Sequence, residues 1–123
     1  DIVLFHVFNS QEERRAYGGS AFIEIQFCKL SSKRKVTERK ALRSIHHWQN
    51  DSLYLYVNDV DLFCNEYRHV FDNLDIFGIN YFVPELINPI IEKLVTAQPK
   101  EYELLVEWLS KAKEYNGFFI LGI

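Results

Sequence analysis

At 123 residues, 48% apolar and 25% charged, the chain has the balance of one globular domain large enough to build a core without disulfide staples. No apolar run approaches the roughly 18 residues of a membrane span, and no repeat, low-complexity stretch or long linker divides it. The net charge of −3 hides two opposed poles. Lys29 to Asn50 carries seven bases and one acid, Glu38, a net of +6; Asp51 to Glu85 carries seven acids and one base, Arg68, a net of −6.

Asp1 to Phe8 lacks a basic leader region and is too short for a signal peptide. Ile2 to Phe8 reads as an almost wholly apolar strand, expected to be buried on both faces. Ser10 with Glu13 forms a capping box that starts a short helix, and Gly18-Gly19 ends it. Ala21 to Cys28 alternates. Ala21, Ile23, Ile25 and Phe27 share one side; Phe22, Glu24, Gln26 and Cys28 share the other, which predicts one wet face. After the basic connection Ser31 to Val36, Thr37 caps a helix predicted to reach Gln49. Its inner stripe is Ala41, Leu42, Ile45 and Trp48, with Arg39, Lys40, Arg43, His46 and His47 opposite.

Leu53 to Val57 is the next strand. Asn58-Asp59 caps a helix predicted to reach Phe71, with Val60, Phe63, Cys64, Tyr67, Val70 and Phe71 inside and Asp61, Leu62, Asn65, Glu66 and His69 outside. Leu74 to Phe82 returns as a strand whose Gly78 marks a bulge or a close neighbour. Asn88 is expected to cap a helix with Pro89 at its first position, running to Gln98. Pro99 opens another to Tyr115, with Glu107 and Lys111 spaced as an i,i+4 pair. Asn116-Gly117 stops it, and Phe118 to Ile123 is a last apolar strand. The order β-α-β-α-β-α-β-α-α-β predicts a single α/β domain over 1–123. Its expected architecture is a mixed central sheet of about five strands covered by helices, with the first and last strands interior.

Few residues of the chain fall into catalytic patterns. Adjacent His46 and His47 diverge by about 100° on a helix and do not converge on one metal. There is no Cys-x2-Cys, no phosphate-binding glycine loop and no nucleophile elbow. Cys28 and Cys64 read as inert reduced thiols of a cytoplasmic protein. No catalytic residue, cofactor or metal is expected, and the chain is not expected to be an enzyme. A small uncharacterised enzyme stays as an alternative, for instance a metal-free RNase using His46 beside Arg43.

Binding explains two opposed poles more easily than catalysis does. The acidic pole offers Asp61, Leu62, Asn65 and Glu66 on one helix face and Asp72 and Asp75 at its exit. An exposed leucine within an acidic rim suits a basic protein partner. The basic pole offers Arg39, Lys40, Arg43 and His47, extended by Lys33-Arg34-Lys35, and could grip phosphates as a small nucleic-acid-binding regulator. Solvated helix faces would carry the same residues.

The tail Tyr115-Asn116-Gly117-Phe118-Phe119-Ile120-Leu121-Gly122-Ile123 and the stretch Gly78-Ile79-Asn80-Tyr81-Phe82 resemble bacterial immunity proteins of contact-dependent growth inhibition systems. The likeness is one of overall character plus these segments, and no functional position is carried over from it. It implies a stoichiometric inhibitor that binds one cognate toxin domain, often a nuclease, in the cytoplasm of the producing cell. It leaves the oligomeric state open.

Overall fold

The computed structural model describes residues 2–18 and 21–123; Asp1, Gly19 and Ser20 lie outside them. Ser10 begins helix α1 (Gln11–Tyr17) by accepting from the Glu13 amide at 3.0 Å, while the Glu13 carboxylate accepts from the Asn9 amide at 2.9 Å. Gly18 ends it at φ 95°, a conformation that favours glycine; the second expected stop residue, Gly19, is outside the described residues.

Strand β2 (Phe22–Phe27) lies at the centre of the sheet. Thr37 caps α2 (Glu38–Arg43) by accepting from the Lys40 amide at 3.2 Å. The helix stops at Arg43 rather than Gln49, because the backbone beyond it is bound from elsewhere. Gln26 accepts from the His46 amide at 2.9 Å and donates to the His46 carbonyl at 3.0 Å. The Tyr54 hydroxyl donates to the Gln49 carbonyl at 2.6 Å. These side chains take the backbone groups that a continuing helix would use.

β3 (Leu53–Tyr56) leads through a 3-10 turn into α3 (Val60–Tyr67), which ends a turn short of Phe71 and receives no side-chain cap from Asp59. β4 (Ile79–Phe82) starts later than the expected Leu74. Residues ahead of it form a tight turn, where a Cβ on Gly78 would lie 2.5 Å from Asp75 Oδ2. α4 (Ile87–Ala97) begins two residues before Pro89, not at it. A proline is tolerated there because first-turn amides have no intrahelical acceptor. Gln98 and Glu101, both at positive φ, separate α4 from α5 (Tyr102–Ala112), and β5 (Phe118–Leu121) closes the fold. Glu107 and Lys111 are not within ion-pairing distance; the two ion pairs among the described residues are Lys29–Asp51 and Lys93–Asp72.

The five strands form one sheet in the order β1-β3-β2-β5-β4, covered by helices as the alternation predicted. Every pairing is antiparallel, where a mixed sheet was expected. The β2–α2–β3 and β4–α4–α5–β5 connections return the chain to the neighbouring position, and strands adjacent in the sheet run in opposite directions. β5 is interior, as its apolarity predicted. β1 (Phe5–His6) is an edge strand, contrary to expectation. Its apolar run is divided: Leu4 and Phe5 are buried, Ile2, Val3 and Val7 exposed. Glu101 guards it by accepting from the Leu4 and Phe5 amides at 2.7 and 3.0 Å, which blunts the edge.

The main core lies on one face of the sheet. Ile23, Ile25 and Phe27 of β2, with Leu53, Leu55, Phe118 and Ile120, pack against Phe63, Tyr67, Ile90, Leu94, Leu105 and Leu109 of α3, α4 and α5. Phe27 stacks on Trp108 with ring centres 4.0 Å apart. The other face of β2, expected to be wet, is covered. Gln26 and Cys28 are fully buried and Glu24 is 8% exposed. A second small core of Cys28, Ala41 and Phe119 forms there beneath α2.

Candidate functional site

The two charged segments meet different fates. Within the acidic one, helical spacing turns Asp61 and Asn65 outward, where both are exposed. Leu62, expected as an exposed apolar anchor, is half-buried and packs against the main core. Glu66 reaches across the fold, and its Oε1 accepts from the Lys100 amide at 2.6 Å at the α4–α5 junction. The Tyr67 hydroxyl donates to the Lys100 carbonyl beside it, and burial pushes that hydroxyl's pKa well up. Asp72 pairs with Lys93 at 3.3 Å in solvent. Asp75 accepts from the Phe77 amide at 2.9 Å and holds the turn before β4. The six expected partner-binding residues therefore do not form one continuous free surface. Folding engages Leu62, Glu66 and Asp75, and Asp72 has a cation of its own.

The basic segment is largely unengaged. Lys29 binds Asp51 at 2.7 Å and Gln49 at 3.0 Å. Lys33, Arg34, Lys35, Arg39, Lys40 and Arg43 are exposed, and among the described residues none of their side chains forms an ion pair or hydrogen bond. α2 carries Arg39, Lys40 and Arg43. Exposed His46 and His47 lie past its end, so the expected five-membered helical face is broken there.

The backbone below these cations is anchored. Asn116, 4% exposed, donates through Nδ2 to the Ser31 carbonyl at 2.6 Å and the Arg34 carbonyl at 2.7 Å. Its own carbonyl accepts from the Tyr81 hydroxyl at 2.7 Å, and Ser31 bridges Tyr115. Burial, with the nearby Cys28, Glu85 and Glu38, pushes the Tyr81 hydroxyl up to about 12, so it stays neutral and donates. A cleft of about 230 Å³ opens between the anchored loop and the start of the 3-10 turn Pro84–Leu86. Arg34, Lys35 and Glu85 supply its charges, and Val36, Tyr81 and Pro84 line its walls.

A buried polar layer lies on the same face of the sheet. Glu24 Oε2 accepts from Ser52 Oγ at 2.6 Å and from Gln26 Nε2 at 2.8 Å, with the Tyr54 hydroxyl oxygen 3.4 Å away. Burial raises the Glu24 carboxyl above its ordinary value, against these hydrogen bonds and the Arg14 charge. The Arg14 guanidinium lies over the rings of Phe22 and Tyr54 at 5.9 and 5.7 Å. Alternation alone missed this layer. The available signal was that Glu24 and Gln26 share their side of the strand with Phe22 and Cys28, so apolar residues flank both polar ones. The layer ties β2, β3 and the 46–52 segment together, and its polar atoms are directed at one another.

An apolar notch of about 250 Å³ beside α3 is lined by Phe63, Cys64, Phe71 and Leu74. Burial and then the Asp61 charge push the Cys64 thiol up, which disfavours the nucleophilic thiolate. Among the described residues no group of three His, Cys, Asp or Glu is placed to hold a metal ion, and no helix is long and apolar enough to cross a membrane. Comparison with protein-family models, curated proteins and solved structures finds no match to this chain.

Proposed function

We propose that the protein is an immunity-type inhibitor that binds one cognate toxin domain in a stoichiometric complex and neutralises it in the cytoplasm of the producing cell. The observation that carries this reading is the group of six exposed cations, without an ion pair among the described residues, displayed on an anchored loop and a capped helix. A charged surface held in place favours fast, steered association with a macromolecule of opposite sign, and it needs no tuned acid, base or cofactor. The resemblance of the two C-terminal segments to immunity proteins supplies the class of partner. The test is coexpression with the C-terminal domain of a large secreted protein encoded beside this gene. Growth rescue together with a one-to-one complex on size exclusion supports the reading; toxicity unchanged by coexpression rejects it.

The same cations favour a second reading, a small nucleic-acid-binding regulator. It requires a gel shift on random duplex DNA or RNA that weakens steeply with salt, because neutralised phosphates release counterions.

A further inference from the structure

We infer that the cleft between the 31–35 loop and Tyr81–Glu85, together with the outward face of α2, is the docking surface, and that it takes a carboxylate-rich segment of a protein partner. This deepens the immunity reading and rests on it for the identity of the partner. It also moves the interface from the acidic pole to the basic one.

Three features point there together. The first is the lack of neutralisation: the acidic segment follows directly in sequence, yet of the seven cations only Lys29 pairs with it. The second is preorganisation. A buried asparagine amide uses both its donors to hold the carbonyls of Ser31 and Arg34, so the backbone bearing Lys33, Arg34 and Lys35 is ordered before a partner arrives. The third is shape. The cleft beside the loop is lined by Val36, Tyr81 and Pro84 together with Arg34 and Lys35, and its one acid, Glu85, is outnumbered by the two cations. A peptide segment can place its aliphatic stems against such walls and its carboxylates on the cations, with bidentate pairing available from the arginines.

The chemistry favours a short acidic protein segment over a nucleic acid. Nucleic-acid affinity grows with the number of phosphates neutralised along a continuous track. Here the track is interrupted by Glu85 within the cleft and by Glu38 at the start of α2, and the molecule as a whole carries −3. A segment of a few residues meets only the local positive field, whereas a long polyanion meets the rest of the molecule too.

The experiment measures fluorescence anisotropy of a labelled octaglutamate peptide against the full chain at low and physiological salt, with a labelled single-stranded RNA of similar length as competitor. Arg34→Glu with Lys35→Glu disrupts the cleft, and Arg39→Glu with Arg43→Glu disrupts the helix face. Arg68→Glu with Lys111→Glu makes the same change of net charge among the helices of the opposite layer. The wild type should bind the peptide, and each pole variant should weaken it by about tenfold or more, while the matched-charge variant changes it by less than about threefold. Asn116→Asp, which keeps the residue's size but loses both amide donors, should weaken binding with all six cations intact. If it fails to fold, the two loop and helix pairs still decide.

Peptide binding that is absent in the wild type, or equally lost in the matched-charge variant, overturns the assignment. RNA binding tighter than the peptide and lost with the same substitutions assigns the surface to nucleic acid instead. Full growth protection by both pole variants would reject this surface and leave the immunity reading standing. Peptide binding at the pole without rescue from any toxin would do the reverse.

Discussion

The acidic and basic segments carry net charges of equal size and opposite sign and are adjacent in sequence, yet the fold treats them differently. In the acidic segment, carboxylates do structural work. Glu66 satisfies the Lys100 amide, Asp75 builds a turn and Asp72 finds Lys93. In the basic segment the side chains project into water, and the structural work beneath them is done by Asn116 and Thr37. The difference follows from what each group can offer. A carboxylate on a short stem accepts backbone N–H groups, which are abundant at turns and helix starts. Lysine and arginine only donate, and their long stems lose more rotamer entropy when fixed.

The largest effect expected from this contrast is at Glu66. Glu66→Ala removes a charge-assisted hydrogen bond from a backbone amide and should lower unfolding stability by about 2 kcal/mol in urea titration. A loss within the noise would show that the acidic segment is as free as the basic one. Leu62→Ala comes next. Leu62 packs against the main core while half-buried, so about 1–2 kcal/mol of stability should be lost. Unchanged stability with faster dissociation from a toxin would return Leu62 to the role of an exposed anchor.

Glu24 sharpens the contrast from inside the fold. Burial holds its folded-state pKa above the ordinary 4.5, so the folded chain binds this proton more tightly than the unfolded chain does. The stability this group contributes is full below 4.5 and is lost as pH rises through the raised folded value. Glu24→Gln removes that loss. The stability of the variant relative to wild type should therefore rise with pH above 4.5 and level off once wild-type Glu24 is ionised in the folded state. Urea midpoints across a mildly acidic series measure it, and parallel curves would show that Glu24 does not titrate there. The smallest effect is expected on the basic side. Arg39→Glu with Arg43→Glu should change stability by less than about 0.5 kcal/mol, because these side chains contact nothing that folding requires. A larger loss would reveal a structural partner and break the contrast.

Much of the secondary structure could be read from local signals. Ser10 and Thr37 cap the helices they were expected to cap, and β5 is interior as its unbroken apolarity suggested. Where the fold departs from these local signals, a partner distant in the chain is the cause. The Ile2–Phe8 run looks like β5 in composition, but Ile2, Val3 and Val7 are exposed and the Glu101 carboxylate takes its free amides, so β1 is an edge. α2 has helical periodicity to Gln49, yet Gln26 and Tyr54 claim the backbone of that stretch. Glu24 and Gln26 alternate like a wet face and are covered by a segment about twenty to thirty positions away. Of the expected site residues, Asp61 and Asn65 lie where helical spacing puts them, whereas Leu62 and Glu66 turn inward.

The amino-acid sequence by itself determined the local rules: caps, periods, glycine stops and the separation of charge into two runs. Each of these depends on residues within a turn or two of one another. The tertiary structure alone decided which charges remain available. That outcome rests on partners far apart in the chain, Glu66 with Lys100 and Asn116 with Ser31 and Arg34. A carboxylate four residues from its neighbour on a helix looks free in any local reading. It ceases to be free when chain closure brings an unsatisfied amide 34 positions away within 2.6 Å of it.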